Sequence, residues 1–469
     1  MKPSKATRRV EGRGEPGGDA RKVLSRRTQR RITWPQHLER VNRAARRAAQ
    51  TRFTALLHHI DESALERVFR RQRRQAAAGV NGVTVQTYEQ NLAENFRDLC
   101  SRVHWGRYRP QPVRRTYIPK SDGGRRPLGV PALEDKILQG AVAEVLSAVY
   151  EADFLGLSYG FRPGQSPHQA LAALHTGIMS QRVSWVLDAD ICSFFDSVDH
   201  EWLMRMLAHR IADPRVLRLI RMWLEAGVLE SGEVHETDRG TPQGSGISPL
   251  LANAFLHYIL DLWVHQWRLR HARGRVVLVR YCDDFVMGFE SKVDAERMLT
   301  DLKERLTKFG LTLHEEKNKL LEFGCLPAHR SRRAGLPRPR TFAFLGFTHY
   351  CGWTRDGRFI VKHKTQSKRI TRKLKEVREE AWRRMHESLA DQHRWYVSVL
   401  RGHYAYYGLP HNFRALAGFH QELRRIWFLC LRRRSQRTHR AGFDWFNAVT
   451  KRFPLPPVHI TRSWADQRV

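Results

Sequence analysis

Residues 276–288 read Val276-Val-Leu-Val-Arg-Tyr-Cys-Asp-Asp-Phe-Val-Met-Gly288. Two apolar runs flank adjacent aspartates, which predicts strands over 276–281 and 285–289 joined by a tight hairpin with Asp283 and Asp284 at its tip. Far upstream, Ser184-Trp-Val-Leu-Asp-Ala-Asp-Ile-Cys-Ser-Phe-Phe-Asp196 predicts a hydrophobic strand over 184–191 that delivers Asp190 at or near its end. An ionised carboxylate there is costly to bury unless a cation or a donor meets it. If the two segments pack side by side, Asp190 and Asp283 face one another and can share two divalent ions roughly 3.5–4 Å apart, the arrangement used for in-line phosphoryl transfer. Oxygen-only ligands select Mg²⁺ over softer metals. One ion would then activate a primer 3′-hydroxyl for attack on an α-phosphate, and the other would hold the β,γ-phosphates and the leaving pyrophosphate. No protein nucleophile is needed. A solvated turn with two aspartates is common, so the doublet has to be weighed with the rest of the chain.

Charge is the next clue. The 469 residues carry 82 Lys+Arg against 47 Asp+Glu, a formal net charge of +35. The excess runs the length of the chain rather than sitting in one tail. Nucleic acid is the partner this suggests, ahead of an anionic membrane surface, because each phosphate contact releases condensed counterions. A hydrophobic content of 41% is that of a globular protein, and the length implies two or three packed units. No apolar run approaches the roughly 20 residues of a membrane-spanning helix, so a soluble protein with no membrane partner is expected. Cys100, Cys192, Cys282, Cys325, Cys351 and Cys430 include no Cys-x-x-Cys pair. Neither a disulfide framework nor a zinc site is suggested, and a reducing, cytoplasmic setting fits.

Residues 1–33 read as a flexible basic arm. A mitochondrial presequence is the alternative, and Glu11, Glu15 and Asp19 count against it. A basic amphipathic helix is expected from Trp34. A second helix is expected from Ser63, with Glu66 completing a capping box, running into the Arg70 to Arg74 cluster. Residues 108–130, with turn residues at 121–124, predict a hairpin that is cationic on both arms. Helices follow over 133–150, 167–179 and 292–309. Strands alternating with helices indicate an α/β or α+β layer. After Phe347 the character changes to long Arg-rich helices over about 365–386 and 392–407, which places a boundary near Tyr350.

From about residue 38 to 445 the chain resembles the reverse transcriptases of group II introns. Tyr281-Cys-Asp-Asp284 is similar to the family's Tyr-x-Asp-Asp box, and Asp190-Ile-Cys-Ser-Phe-Phe-Asp196 to the motif of its first catalytic aspartate. Further boxes fall in the family's order: Tyr117 to Pro131, Ser158-Tyr-Gly-Phe-Arg-Pro163, Arg239 to Asn253, Gly310 to Lys317 and Phe344-Leu-Gly-Phe347. The resemblance implies an α+β right-hand polymerase, with fingers, a palm of antiparallel sheet and flanking helices over 34–350, and a helical thumb over 351–435. It implies an RNA-directed DNA polymerase using two Mg²⁺ ions, with Asp190, Asp283 and Asp284 catalytic and metal-binding. Ile191 is counted among both the metal and the nucleotide contacts. Lys120 and Arg126 would clamp the incoming triphosphate, where charge-assisted contacts are strong. Phe195 lies at the position of the steric gate that excludes a ribose 2′-hydroxyl. Gln243 would touch nucleotide or template, and Lys317 would be an outer phosphate contact. As departures, Cys192-Ser193 replace the family's usual Lys-Gly, Asn81 stands where Asp is usual, and Cys282 fills the variable place before the aspartates. None removes a metal ligand; they leave fidelity and primer handling open more than activity.

In the Arg-rich end, Ile370, Leu374, Val377 and Ala381 form an apolar stripe, while Lys368, Arg369, Arg372 and Lys373 gather on the other surface. Such a helix can lie along an RNA backbone, or be an ordinary amphipathic helix. The pattern Leu-Arg-Gly-x-x-x-Tyr-Tyr at 400–407 and the segment Arg425 to Arg434 resemble the family's thumb and maturase region. This implies binding of structured intron RNA to assist splicing, with that RNA then serving as template beside a DNA primer, target DNA and dNTPs. Residues 436–469 form a short tail with a possible DNA contact and no residues for a zinc-dependent nuclease. Two other readings stand beside a mobile-intron enzyme: an RNA-binding splicing factor whose polymerase is dispensable, and a domesticated relative acting in DNA repair or phage defence. A bacterial cytoplasm, near the nucleoid when acting on DNA, is expected ahead of an organelle.

Overall fold

A computed structural model describes residues 34–119, 124–230, 233–235, 239–241, 244–315 and 318–464. The arm expected over 1–33 lies outside the described residues. The strands are β1 (Val113–Pro119), β2 (Arg125–Val130), β3 (Trp185–Asp190), β4 (Val228–Glu230), β5 (Glu233–His235), β6 (Val276–Tyr281), β7 (Asp284–Phe289), β8 (Lys319–Glu322), β9 (Phe342–Phe344), β10 (Phe347–Trp353) and β11 (Phe359–Thr365). They form three sheets, with orders β2-β1-β4-β5, β6-β7-β3-β8 and β11-β10-β9.

The central sheet is antiparallel throughout, and its near-continuous apolar runs reflect burial on both faces. Alternation of side chains along each strand sorts these residues into two cores. Leu187, Ala189, Leu278, Phe285 and Met287 join Met298, Leu302 and Leu306 of the helix Lys292–Thr307 in one core. Val186, Val279, Val286 and Leu321 join Leu171, Leu174 and Ile178 of the helix Pro167–Ser180 in the other. Even-numbered positions of β3 and β7 therefore share one face, which fixes where Asp188, Asp190 and Asp284 stand.

The expected helix over 133–150 is present as Leu133–Tyr150, and its buried positions run all round it, as an interior helix requires. The helix expected from Ser63 spans Glu62–Phe69 and is capped two residues earlier: Asp61, rather than Ser63, accepts from the N–H of Ala64 at 2.8 Å. The Ser63 hydroxyl instead donates to Asp61. A carboxylate at the N-cap outcompetes a hydroxyl because the helix dipole favours its charge.

The boundary expected near Tyr350 falls inside β10, which pairs along its whole length with β11 and at its start with β9. This small sheet packs Phe342, Phe344, Phe347 and Val361 into the same core as the central sheet. Beyond it, the helices Ser367–Arg383, Leu389–Tyr407 and Phe413–Arg433 enclose a separate core that includes Val377, Ala381, Tyr396, Leu400, Phe419 and Trp427. Among the described residues no helix is long and apolar enough to cross a membrane.

Candidate active site

In the β3–β7 register Asp190 stands directly opposite Asp284, and in the β6–β7 hairpin Tyr281 pairs with Asp284. Cys282 and Asp283 are thus a two-residue turn, in which Cys282 takes a φ of +59°. The sequence reading set Asp190 against Asp283. The strand begins one residue earlier than its apolar run implies, so Asp284 is the cross-strand partner and Asp283 lies in the turn beyond it. Cys282 is buried, and burial together with Asp283 pushes its thiol up to about 12. It packs the inside of the turn.

The turn is held from behind by a buried polar network. Arg280, fully buried in the middle of an apolar strand, is paired on both guanidinium edges with Asp261, Nε to Oδ1 at 2.8 Å and Nη2 to Oδ2 at 2.5 Å. Its Nη1 donates to the Cys282 carbonyl at 2.9 Å and to Asn253 Oδ1 at 2.9 Å. Asp261 closes a π-helical stretch, His257–Asp261, an irregularity that re-aims side chains. Asn253 in turn donates to the Gly160 carbonyl at 2.7 Å. Gly160 is seated against the turn so closely that a Cβ there would stand 2.3 Å from the Cys282 nitrogen. The loop carrying Gly160 is pinned by Arg162, which pairs in a buried fork with Glu151 at 3.0 and 2.9 Å and donates to the Ser158 carbonyl at 2.7 Å. Gly160, Arg162 and Asn253 fall inside boxes quoted from the sequence and Arg280 inside the hairpin strand, but none was given a role there, and Glu151 and Asp261 were not noticed. The signal was present, since an arginine inside an apolar strand has to find a partner.

The site's electrostatics are those of crowded carboxylates. Burial, with Asp188, Asp283 and Asp190 adding to it, pushes Asp284 up to about 7, against the field of Arg369. Asp188 is pushed up to about 6, chiefly by burial and further by Asp190, while the Ala343 N–H and Lys319 oppose the shift. Asp188 is a fourth acid that sequence reading passed over, although its place two residues before Asp190 puts it on the same face. Among the described residues no three His, Cys, Asp or Glu side chains gather tightly enough to enclose a metal by themselves. Mg²⁺ does not ask for that. It commonly takes one or two carboxylates and completes its octahedron with water and substrate phosphates, and crowded carboxylates are relieved by a divalent cation or by a proton. The donor set fits.

Phe195 is half-buried against Phe194. Its carbonyl accepts from Thr241 N at 2.7 Å, and a Cβ on Gly240 would stand 2.9 Å from the same oxygen. The Phe195 turn is thereby locked to the segment Gly240–Thr241. Ile191 is buried and bridges to Leu313, so only its main chain can serve a metal or nucleotide. Lys120, Gln243 and Lys317 lie outside the described residues, as does the side chain of Arg126.

Of the four basic residues grouped on the Ser367–Arg383 helix, all are exposed, yet they divide. Arg372 and Lys373 both reach Glu376, at 3.5 and 3.1 Å. Arg369 backs onto Gly346, and its charge partly opposes the upward push on Asp284. Exposed as it is, its charge is felt at the carboxylates, because the start of its helix is tied to the Phe344-Leu-Gly-Phe347 turn, Gln366 N–H donating to the Gly346 carbonyl at 3.1 Å.

Ser193, one of the departures from the family pattern, adopts φ +43°, a conformation that favours glycine. Ser193→Gly is expected to raise stability by about 0.5–1 kcal/mol in urea denaturation, since relief of about 1–2 kcal/mol of left-handed strain exceeds the added entropy of the unfolded chain. An unchanged midpoint would show that the strain is absorbed locally.

Residues 118–349 match the family described as reverse transcriptase (RNA-dependent DNA polymerase), and this segment is a reverse transcriptase domain. The chain is 36% identical over 251 residues to protein YkfC of Escherichia coli K12, covering 47% of this chain and 66% of YkfC. It is 39% identical over 197 residues to group II intron-encoded protein LtrA of Lactococcus lactis subsp. cremoris, covering 42% of this chain and 32% of LtrA. A shorter match, 28% identical over 95 residues, is to the Arabidopsis thaliana protein named nuclear intron maturase 1, mitochondrial; it covers 20% of this chain and 13% of that one. The chain thus spans less than two thirds of each of these relatives. Over these stretches the chain is similar to the group II intron-encoded reverse transcriptases and maturases.

Proposed function

We propose that the chain is an RNA-directed DNA polymerase of the group II intron type that also binds intron RNA as a maturase and serves intron mobility. The observation that carries this is the register placing Asp190 opposite Asp284 beside the Asp283 turn. In this reading the β6-β7-β3-β8 sheet is the palm, the β2-β1-β4-β5 sheet belongs to the fingers, and the helices from Ser367 onward are the thumb. Asp190, Asp283 and Asp284, with the Ile191 main chain, would hold two Mg²⁺ ions, whose chemistry when bound is to activate the primer 3′-hydroxyl and neutralise the leaving pyrophosphate. Lys120 and Arg126 bind the triphosphate, Gln243 the nucleotide or template, and Lys317 an outer phosphate. Arg369 sets the charge balance at the carboxylates.

Phe195, anchored through Thr241 and Gly240, holds its ring where a ribose 2′-hydroxyl would sit. Phe195→Ala is therefore expected to raise ribonucleotide incorporation relative to deoxynucleotides by about 10-fold or more, roughly the 1–3 kcal/mol that a steric pocket discriminates. Competition assays on a primed RNA template check this; unchanged selectivity would remove Phe195 from the gate.

The maturase role is supported by the basic helices of the C-terminal bundle and by the kinship with intron-encoded proteins. The deciding experiment is primer extension with dNTPs on RNA and DNA templates, run beside a splicing assay on a group II intron RNA. Extension on RNA supports the enzyme. Binding and splicing without extension would make the chain a splicing factor, and extension with no effect on splicing would favour a polymerase serving other templates.

A further inference from the structure

The helix Cys325–Arg333 and the segment after it place five arginines and no carboxylate between Ala328 and Arg340. The segment lies across the far end of β10, where a groove of about 420 Å³ opens. Its floor is apolar, from Ala328, Cys351, Trp353 and Pro339, and its rim carries the exposed Leu336 with Arg332, Arg338 and Arg355. The three arginines are exposed, and Arg332 lies over the Trp353 ring at 4.6 Å. Neighbouring arginines are committed, Arg330 to Glu322 and Arg358 to Asp356. Arg332, Arg338 and Arg355 make no ion pair among the described residues. The groove is separate from the carboxylates: Phe347 at the near end of β10 packs on Tyr406 and Tyr407 beside the Arg369 turn, and the strand then runs about 20 Å to Trp353.

We infer that this groove binds an unpaired stretch of RNA, with Arg338 and Arg355 on its phosphates and a base against the apolar floor beside the Arg332–Trp353 stack. A paired helix turns its bases inward and would leave that floor empty. Unpaired bases stack on aromatic and guanidinium planes, and a rim of unneutralised arginines is complementary to the backbone that carries them. The inference rests on the proposed function only in taking RNA as the partner. It adds a contact outside the catalytic cleft that would hold a structured RNA while its template segment is copied.

The test uses the full chain and two fluorescein-labelled RNA hairpins, one blunt and one with a ten-nucleotide uridine tail, followed by fluorescence anisotropy across a salt series. The double variant Arg338→Ala/Arg355→Ala is expected to lose at least 10-fold in affinity for the tailed hairpin. Its salt slope should fall by about 1.4, from two lost single-strand phosphate contacts, with blunt-hairpin binding unchanged. Arg338→Lys/Arg355→Lys should keep the slope, and Trp353→Leu should weaken tailed binding without changing it. Equal affinity and slope in wild type and the alanine variant would overturn the inference. So would a parallel loss of extension on a short RNA template with a DNA primer, which would put the arginines on the primer–template path. Failure of the wild-type chain to extend any primer sinks the polymerase reading and leaves the hairpin comparison intact.

Discussion

Asp190→Asn is expected to lower the rate of nucleotide addition by about 10³-fold or more while leaving the fold intact. Asp190 is half-buried at the end of β3, its main chain fixed by Asn318 Oδ1 on its N–H at 3.1 Å and by the His314 N–H on its carbonyl at 2.9 Å. An amide of the same size therefore keeps the position and loses the charge. The lost interaction is the one that would anchor a divalent ion at the reacting phosphate, a contribution of several kcal/mol, and about 4 kcal/mol corresponds to three decades of rate. Because crowding by its neighbours helps push Asp284 up, removing one of them should, if anything, ease the folded state. Single-turnover extension by one nucleotide, with urea denaturation alongside, separates the two effects. A variant that loses both equally would make Asp190 a structural residue.

The second large effect concerns the support of the turn. Arg280→Met strips a fully buried Asp261 of its partner, and breaking such a pair costs about 3–5 kcal/mol, because the remaining charge is left unsolvated. It also removes the donor to the Cys282 carbonyl, which fixes the turn carrying Asp283. The double variant Arg280→Met/Asp261→Leu should recover much of the stability, since an apolar pair of similar volume fills the space. It should not recover the rate, because the carbonyl anchor is still missing and a misplacement of about 1 Å can cost 10²-fold. Recovery of stability and rate together would show that Arg280 acts only through the core.

Much of this was legible because it is local. Two apolar runs around Asp283-Asp284 specify a hairpin, the run before Asp190 specifies a strand, and the all-round apolar pattern of Leu133–Tyr150 specifies an interior helix. What sequence did not reveal is non-local. Periodicity says which face a residue occupies and not what lies across from it, so the one-residue difference that sets Asp190 against Asp284 came only with the register. Strands β4 and β5, at three residues each, are too short to carry a period. The same limit hid the path from Glu151 through Arg162 and Gly160 to Cys282: the last three stand in quoted boxes, but what each one touches shows only once packing joins them. Arg369 read as part of a basic helix face because helical spacing cannot show that its helix begins against Gly346.

Asp190, Asp283 and Asp284 are proposed to hold a pair of divalent ions. The most direct measurement replaces Mg²⁺ with Mn²⁺ in a complex of the full chain with an RNA template, a dideoxy-terminated DNA primer and the matching dNTP, and counts bound ions by electron paramagnetic resonance. Two spin-coupled Mn²⁺ per chain in the wild type, with the coupling lost in Asp190→Asn, is the expected result. A wild-type complex without a coupled pair, or a pair untouched by the substitution, would contradict it.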